Sequence, residues 1–315
     1  MILPALLYFI WSLAFPIGKK LLEFSPPVFL TGARMILGAL FLFIFITVFQ
    51  KKSFQKISLR GWLALGLLGF FSIFLTNVLE FWSLQYLSSA KTCFLYSLSP
   101  FLTAVLSYFH FKEKMTPKKW MGILIGMIGF IPVLVLGGSD QVFGVGFISI
   151  AEVAMFAAVF FAVYGWIILR MLVKDSQISP PLANGISMLF GGILSIFASF
   201  FVDVWNPFPV QAGHGGSFSG LLILLTLLSN IVCYNLYGYL LKKYTATLLS
   251  FFGLLSPIFT SIHGYFILGE SINPIIVLST AIVFLGLRLV YSEEAKLGYI
   301  QSTKPSDRSE NPQTV

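Results

Sequence analysis

The chain contains ten apolar runs, each about as long as a helix that crosses a lipid bilayer. Such a helix needs about 20 predominantly apolar residues to span a hydrocarbon core of roughly 30 Å. Only 10% of the residues are charged and 57% are hydrophobic, which is too apolar for a soluble fold to bury. The sequence therefore predicts an all-α integral membrane protein with ten transmembrane helices. The ten runs cover residues 2–18, 28–49, 61–83, 92–111, 120–138, 145–168, 182–203, 219–241, 245–268 and 273–292.

Lysine and arginine gather in alternate loops between these runs. Fifteen of the 20 lie on one side, and three, Lys19, Lys20 and Lys91, lie on the other. Basic residues are concentrated in the cytoplasmic loops of membrane proteins. This asymmetry predicts a multi-pass protein of the cell inner (cytoplasmic) membrane with both termini cytoplasmic. The polar residues 293–315 are expected to form a disordered cytoplasmic tail.

A stretch of 20 residues occurs twice. FLYSLSPFLTAVLSYFHFKE begins at Phe94, FFGLLSPIFTSIHGYFILGE begins at Phe251, and the eight identical positions are each 157 residues apart. Ten helices then form two units of five, residues 1–138 and 145–292, which enter the membrane from opposite sides because five is odd. Inverted repeats of this kind are frequent in secondary transporters, in which a central site opens to each side in turn. The repeat predicts a transporter that works by alternating access.

Each copy of the repeat carries a Ser-Pro pair inside its apolar run. A proline in a membrane helix removes a backbone hydrogen bond and frees carbonyl oxygens that can line a cavity or a hinge. Ser99 and Ser256 are therefore candidates for cavity lining, and Pro100 and Pro257 are candidates for hinges. A packing kink without contact to substrate is the alternative. The acids that end the two copies, Glu113 and Glu270, are expected to be helix caps or gating residues.

An acid within a span is the most informative single residue. An ionised side chain inside the bilayer is rare and indicates a functional site by default. Glu80 lies in the third run near Asn77, Trp82 and Tyr86, and a carboxylate among aromatic faces suits a cationic group. The alternative is a pair between Glu80 and Lys91 at the membrane boundary. Further candidates for the cavity are Trp11, Asn230 and Tyr234.

The sequence resembles the EamA-type, ten-helix members of the drug/metabolite transporter superfamily over about residues 5–292. The resemblance implies that the fourth and ninth helices line a central cavity. The second half has no arginine matching Arg34, so the two halves do not share any role of that charge. The residues that carry the resemblance are Trp11, Ser12, Pro26, Pro27, Arg34, the two Ser-Pro pairs, Glu113, Glu270, Gly122, Gly126, Gly129 and Gly286.

The resemblance implies a secondary carrier of a small organic metabolite rather than an enzyme. Members of the superfamily carry amino acids, sugar phosphates, purines, drugs and S-adenosylmethionine. The 34 phenylalanines and the 15 lysines against five arginines indicate an AT-rich genome, which is typical of host-dependent cells that import metabolites. An aromatic cavity with one acid suits a cationic, adenine-bearing solute. The best single hypothesis is uptake of S-adenosylmethionine in exchange for S-adenosylhomocysteine, by a carrier of that subgroup.

Two alternatives remain open from the sequence. The first is an exporter of amino acids or toxic small molecules with the same fold, and the second is a membrane-embedded enzyme or scaffold. The chain contains no phosphate-binding loop, zinc motif or nucleophile elbow, so no catalytic residue, metal or cofactor is expected. The expected partners are a small metabolite and membrane lipid but no nucleic acid, and a homodimer is left open.

Overall fold

The computed structural model describes residues 2–49, 57–112, 114–136, 144–145, 148–174, 178–241, 244, 249 and 252–297. Within these residues nine helices are long and apolar enough to cross a membrane, and a tenth, α9, is shorter. This architecture confirms the predicted all-α membrane fold, with α9 covering the second half of the ninth apolar run. The helices are α1 (Ile2–Leu22), α2 (Pro27–Phe49), α3 (Leu59–Tyr86), α4 (Ser89–His110), α5 (Pro117–Val135), α6 (Ile150–Val173), α7 (Pro180–Val202), α8 (Gly215–Leu240), α9 (Ser256–Leu268) and α10 (Pro274–Glu293).

The end of α10 differs from the prediction. The last helix continues to Lys296, so the first residues of the predicted disordered tail are helical. Glu293 explains the extension, because its carboxylate accepts from the Thr116 hydroxyl at 3.3 Å and pairs with Lys118 at 3.6 Å and Lys296 at 3.3 Å. These contacts tie the last turn to the start of α5. The rest of the tail, 298–315, lies outside the described residues.

Two antiparallel strands of two residues each precede α6. Gly144–Val145 pairs with Ile148–Ser149, and the helix begins at Ile150. The sixth apolar run, which was expected to be helical from residue 145, therefore begins with a short turn of extended chain.

The Ser-Pro pairs mark breaks in the helices. Within α4, a helical segment Ser89–Tyr96 is followed by a turn and a second segment, Ser99–Phe111. Pro100 occupies the second position of the new segment, where its missing N–H has no intrahelical acceptor. Pro257 occupies the same position at the start of α9. The two copies of the repeat thus produce the same local break.

α3 and α8 share a second irregularity. Each contains a π-helical segment, Gly69–Leu75 in α3 and Thr226–Cys233 in α8. Asn77 donates from Nδ2 to the carbonyl oxygens five and four residues before it, at 3.0 and 2.9 Å. Asn235 does the same in α8, at 3.3 and 2.8 Å. The amides satisfy carbonyl groups that the wider π turn would otherwise leave unpaired.

Helices of the first half pack against helices of the second. α2 packs along α7, α5 along α10 and α4 against α9, while α1 packs on α8 and α6 packs on α3. This set of five pairs is unchanged when each helix is exchanged for the helix five places away. Two repeats related by symmetry produce this pattern of pairs.

Glycines allow the closest of these contacts. A Cβ atom added to Gly286 of α10 would lie 2.5 Å from the carbonyl oxygen of Gly122 in α5. A Cβ at Gly122 would in turn lie 2.6 Å from the carbonyl oxygen of Gly286. Small residues at membrane helix interfaces let the backbones approach in this way.

The connections between helices form clusters at the two ends of the bundle. The segment after α1 meets the segment after α7, where the Ser25 hydroxyl donates to the Pro209 carbonyl at 3.0 Å. The end of α1 also meets the segment after α9, where Lys19 pairs with Glu270 at 3.3 Å. The start of α5 and the end of α10 meet through Glu293. Alternate connections therefore share one face, as successive membrane crossings require.

Candidate functional site

A cavity lies between the two halves, where α1, α3, α4, α6 and α8 converge. Its empty space, counting the part that is open to solvent, is about 830 Å³. Six residues that the sequence singled out line it: Trp11, Asn77, Glu80, Ser99, Tyr234 and Ser256.

Glu80 supplies the negative charge of the cavity. Its Oε2 atom accepts a hydrogen bond from the hydroxyl of Tyr96 in α4 at 3.0 Å. Lys91, the alternative partner suggested by the sequence, pairs instead with Glu152 at 2.7 Å, and both of those side chains are at most 3% exposed. The Glu80 carboxylate is therefore free of that lysine and faces the cavity.

Arg34 brings a positive charge to the same cavity from α2. Its side chain is buried, its Nη2 donates to Oδ1 of Asn77, and its guanidinium carbon lies 4.7 Å from the centroid of the Phe81 ring. Its Nε atom has no hydrogen-bond partner among the described residues. Among the described residues, Arg34 and Glu80 do not form an ion pair, because none of their N–O distances is 4 Å or less.

Aromatic rings form much of the cavity wall. Trp11 of α1 lies 5.5 Å from Tyr234 of α8, measured between ring centroids. Trp166 of α6 stacks on Tyr96 at 6.5 Å with an interplanar angle of 26°. All four residues line the cavity. Their faces can attract a cation and stack on a planar base.

The breaks in the helices contribute small polar groups. Ser97 lies in the turn within α4, and its hydroxyl is buried without a hydrogen-bond partner among the described residues. Ser97, Ser99 and Ser256 all line the cavity. The helical segments that begin at Ser99 and Ser256 also direct the positive ends of their dipoles toward it. Pro100 and Pro257 follow these serines and do not line the cavity themselves.

Three of the residues predicted for the cavity lie elsewhere. Trp82 and Tyr86 contact each other with ring centroids 5.1 Å apart, outside the cavity lining. A helix turns about 100° per residue, so Trp82 lies about 200° around α3 from Glu80 and faces away from it. Asn230 also lies outside the lining, between α8 and α2, where its Nδ2 is 2.9 Å from the sulfur of Met35.

Glu270 joins three parts of the fold at one face. Its carboxylate pairs with Lys19 at 3.3 Å and accepts from the backbone N–H of Ser89, at 3.0 and 3.2 Å, and from its hydroxyl, at 3.2 Å. Lys19 also donates to the carbonyl oxygen of Leu87 at 2.6 Å. Glu270 therefore caps the start of α4 and links it to the end of α1 and to α9. Its repeat mate, Glu113, lies outside the described residues.

The sequence reasoning did not propose Arg34 and Trp166 for the cavity. Arg34 is an ionised residue inside a span, and the argument that identified Glu80 applies to it equally. Trp166 lies eight residues before Lys174, as Trp11 lies eight before Lys19, so the repeat itself pairs the two tryptophans. Both signals are present in the sequence.

The arrangement suits reversible binding of a polar solute with an aromatic part. It offers one carboxylate, one guanidinium, several hydroxyl groups and six aromatic residues around one space. Within the described ranges, no group of three or more His, Cys, Asp or Glu residues could hold a metal ion.

Comparison with protein families shows a match over both halves of the chain. The sequence model of the EamA-like transporter family matches residues 1–135 and 149–292. The two matched segments cover the helices α1 to α5 and α6 to α10.

Curated relatives span almost the whole chain. A protein of Chlamydia muridarum, named S-adenosylmethionine/S-adenosylhomocysteine transporter, is 37% identical over 94% of this chain and 92% of its own. A protein of Chlamydia trachomatis serovar L2 with the same name is 36% identical over 94% of this chain and 90% of its own. The uncharacterized transporter YoaV of Bacillus subtilis is 25% identical over 88% of this chain and 91% of its own.

A solved crystal structure shares the fold. It superimposes with a TM-score of 0.64 and covers 93% of this chain and 98% of its own, at 16% sequence identity.

Proposed function

The chain belongs to the EamA-like transporter family, and from this premise we propose that it takes up S-adenosylmethionine in exchange for S-adenosylhomocysteine. The carrier would work by alternating access across the bacterial inner membrane. Two chlamydial relatives that carry this activity in their names match over 94% of the chain. The observation on which the proposal rests is the central cavity, in which Glu80 lies among aromatic rings.

Glu80 fits the cationic part of the substrate. S-adenosylmethionine carries a sulfonium and an ammonium group, and a buried carboxylate attracts a cation strongly because the local dielectric is low. The hydroxyl of Tyr96 orients the carboxylate through its hydrogen bond. Lys91 is engaged with Glu152 and does not compete for Glu80.

The aromatic walls fit the adenine. A purine is planar, and rings such as Trp11 and Trp166 offer faces on which it can stack. The two tryptophans come from opposite halves of the chain. A substrate held between them would contact both repeats and would couple their relative motion to its own release.

Two features of the fold suit alternating access. The breaks before Pro100 and Pro257 lack regular helical hydrogen bonds, so we assign them as hinges. The cluster of Glu270, Lys19 and Ser89 holds α1, α4 and α9 together at one face, and we assign it as a gate. Opening of that face would break these contacts.

The orientation in the membrane is part of the proposal. Lys19, Glu270 and Lys91 share the face that has few basic residues, and the positive-inside rule assigns that face to the exterior. Both termini would then be cytoplasmic. The two inverted repeats would be residues 1–138 and 145–292, which the exchange symmetry of the helix contacts supports.

The test is uptake of labelled S-adenosylmethionine by cells that express the chain. We expect saturable uptake that excess unlabelled S-adenosylhomocysteine blocks and that amino acids and nucleosides leave unchanged. Empty-vector cells are the control, with membrane insertion verified by immunoblot. Absence of uptake by correctly inserted protein would contradict the proposal as an importer, and loss of solute from preloaded cells would favour the exporter.

A further inference from the structure

We propose that Arg34 and the hydroxyl of Ser97 form a carboxylate-binding subsite, which restricts transport to substrates with a free α-carboxylate. The inference rests on the proposed function and deepens it. S-adenosylmethionine and S-adenosylhomocysteine share the same amino-acid carboxylate but differ in charge at sulfur. A subsite for the shared group would let one cavity accept both members of the exchange.

The first support is the unmet hydrogen-bonding capacity of Arg34. The side chain is 2% exposed and lines the cavity, yet its Nε has no partner among the described residues. A buried guanidinium with an unpaired N–H is costly, so such groups are paired with an anion or with acceptors. A ligand carboxylate would supply both.

The second support is a comparison of the two halves of the chain. In the first half, Oδ1 of Asn77 accepts from Arg34 of α2. In the second half, Oδ1 of Asn235 accepts from the neutral amide of Asn184 in α7, at 3.1 Å. A neutral amide is therefore sufficient to satisfy the asparagine beside the π-helical segment. The positive charge of Arg34 is not needed for that structural task and is available for a ligand.

The third support is the break within α4. The hydroxyl of Ser97 is buried, lines the same cavity and has no partner in the part of the chain that the structure describes. Ser97 ends the segment Ser89–Tyr96 and lies two residues before Ser99, where the next segment of 13 residues begins. The negative end of one segment and the positive end of the next meet at this break. The groups that favour an anion here are therefore the hydroxyl donor of Ser97 and the guanidinium of Arg34.

An alternative role for Arg34 is to balance the charge of Glu80. The charge-balance role and the carboxylate-binding role of Arg34 predict different results. A charge balance concerns only the protein, whereas a carboxylate subsite concerns the ligand. If Arg34 only balanced Glu80, replacing it with glutamine would change the affinities of the carboxylated and the decarboxylated ligand by the same factor. If Arg34 binds the carboxylate, removing the guanidinium would weaken the binding only of ligands that carry a carboxylate.

The experiment compares S-adenosylmethionine with decarboxylated S-adenosylmethionine as competitors of labelled S-adenosylmethionine uptake. In the unmodified protein we expect the decarboxylated compound to compete about tenfold to a hundredfold less well, the range for a lost charge-assisted hydrogen bond. In Arg34→Gln we expect the affinity for S-adenosylmethionine to fall by a similar factor. The affinity for the decarboxylated compound should stay within about twofold of its value in the unmodified protein, so that the affinities for the two ligands become similar.

Two further variants complete the design. Arg34→Lys keeps the charge and should retain part of the discrimination. Arg288→Gln removes another arginine of the membrane helices, which is exposed and lies outside the cavity lining, and should leave both affinities unchanged. Ser97→Ala should lower discrimination less than Arg34→Gln because it removes a neutral donor.

The outcomes separate the inference from the proposed function. Failure of the unmodified protein to take up S-adenosylmethionine would overturn both. Normal uptake with equal competition by the decarboxylated compound would overturn the carboxylate subsite alone. The competition in the unmodified protein gives this result even if Arg34→Gln does not fold. An equal change in the affinities of both ligands in Arg34→Gln would instead support charge balance and contradict the inference.

Discussion

At the scale of single residues, the cavity contains one acid and one base held apart by their separate partners. Tyr96 holds Glu80, while Asn77 and the Phe81 ring hold Arg34. Side chains fixed in this way lose little freedom when a ligand binds. A zwitterionic head group can then meet an acceptor and a donor that are already oriented.

Removal of the Glu80 charge should affect the two exchanged solutes unequally. We predict that Glu80→Gln lowers the affinity for S-adenosylmethionine by about tenfold or more, because a buried charge–charge contact is lost. The affinity for S-adenosylhomocysteine should fall less, because its sulfur carries no charge. The measurement is the inhibition constant of each compound against labelled uptake. Glu80→Asp, which keeps the charge, is the control, and equal weakening of both solutes would contradict the sulfonium assignment.

At the scale of helices, one acid connects three elements at one face. Glu270 reaches Lys19 at the end of α1 and caps the start of α4 at Ser89. The buried pair of Lys91 and Glu152 lies next to it and fixes the start of α4 against α6. Because α4 also contains the break at Ser97, a motion of its first segment would disturb both the gate and the cavity.

Loss of the Glu270 contacts should open this face. Cys93 lines the cavity, whereas Cys233 is buried outside it, so Cys93 in a Cys233→Ala background reports access to the cavity. We predict that Glu270→Gln raises the rate at which a membrane-impermeant maleimide labels Cys93 by about fivefold, since charge-assisted contacts that hold the closed state are lost. Glu23→Gln removes an exposed acid at the same face and should have no effect. An unchanged rate in Glu270→Gln would argue against a gate.

The contact between α5 and α10 should not tolerate a side chain. We predict that Gly286→Ala lowers the melting temperature in detergent, because its Cβ would lie 2.5 Å from the Gly122 carbonyl oxygen and overpacking costs about 1–3 kcal/mol. Gly66→Ala is the matched control, because a Cβ at Gly66 meets no atom within 4 Å. Equal melting temperatures for the two variants would show that the helices separate more easily than this contact indicates.

The sequence predicted the helices better than it predicted the cavity, for physical reasons. The bilayer thickness sets helix length, so apolar runs locate helices without any knowledge of packing. The direction of a side chain depends on the neighbouring helices, and α3 is apolar on most of its surface. Trp82 and Tyr86 were therefore grouped with Glu80, although the helical period separates them. The π-helical segments beside Asn77 and Asn235 have no apolar signature and became visible only in the structure.

At the scale of the whole molecule, the lipid-facing surface and the central cavity have opposite character. Large apolar side chains point outward, with Phe49, Phe201 and Phe266 between 73% and 78% exposed, as expected of a surface that lipid covers. Two charged residues of the membrane helices, Glu80 and Arg34, line the cavity. The polar groups of the cavity are thus gathered between the two halves, away from the lipid-facing surface.

Topology can be tested with single cysteines at the two faces, in a background lacking the native cysteines. We predict that His214→Cys, after α7, is labelled by an impermeant maleimide in intact cells with the outer membrane permeabilised, and that Lys118→Cys is labelled only after lysis. Both positions are exposed, so access to reagent depends on sidedness alone. The reverse pattern would place the termini outside.

The central claim is exchange of two solutes through one cavity, and counterflow tests it most directly. Purified protein would be reconstituted in liposomes loaded with unlabelled S-adenosylhomocysteine, and entry of labelled S-adenosylmethionine would be followed. We predict rapid transient accumulation in loaded vesicles, little in empty vesicles, and loss of accumulation in Arg34→Gln. Equal entry into loaded and empty vesicles would contradict an exchanger, and no entry into either would contradict the proposed substrate.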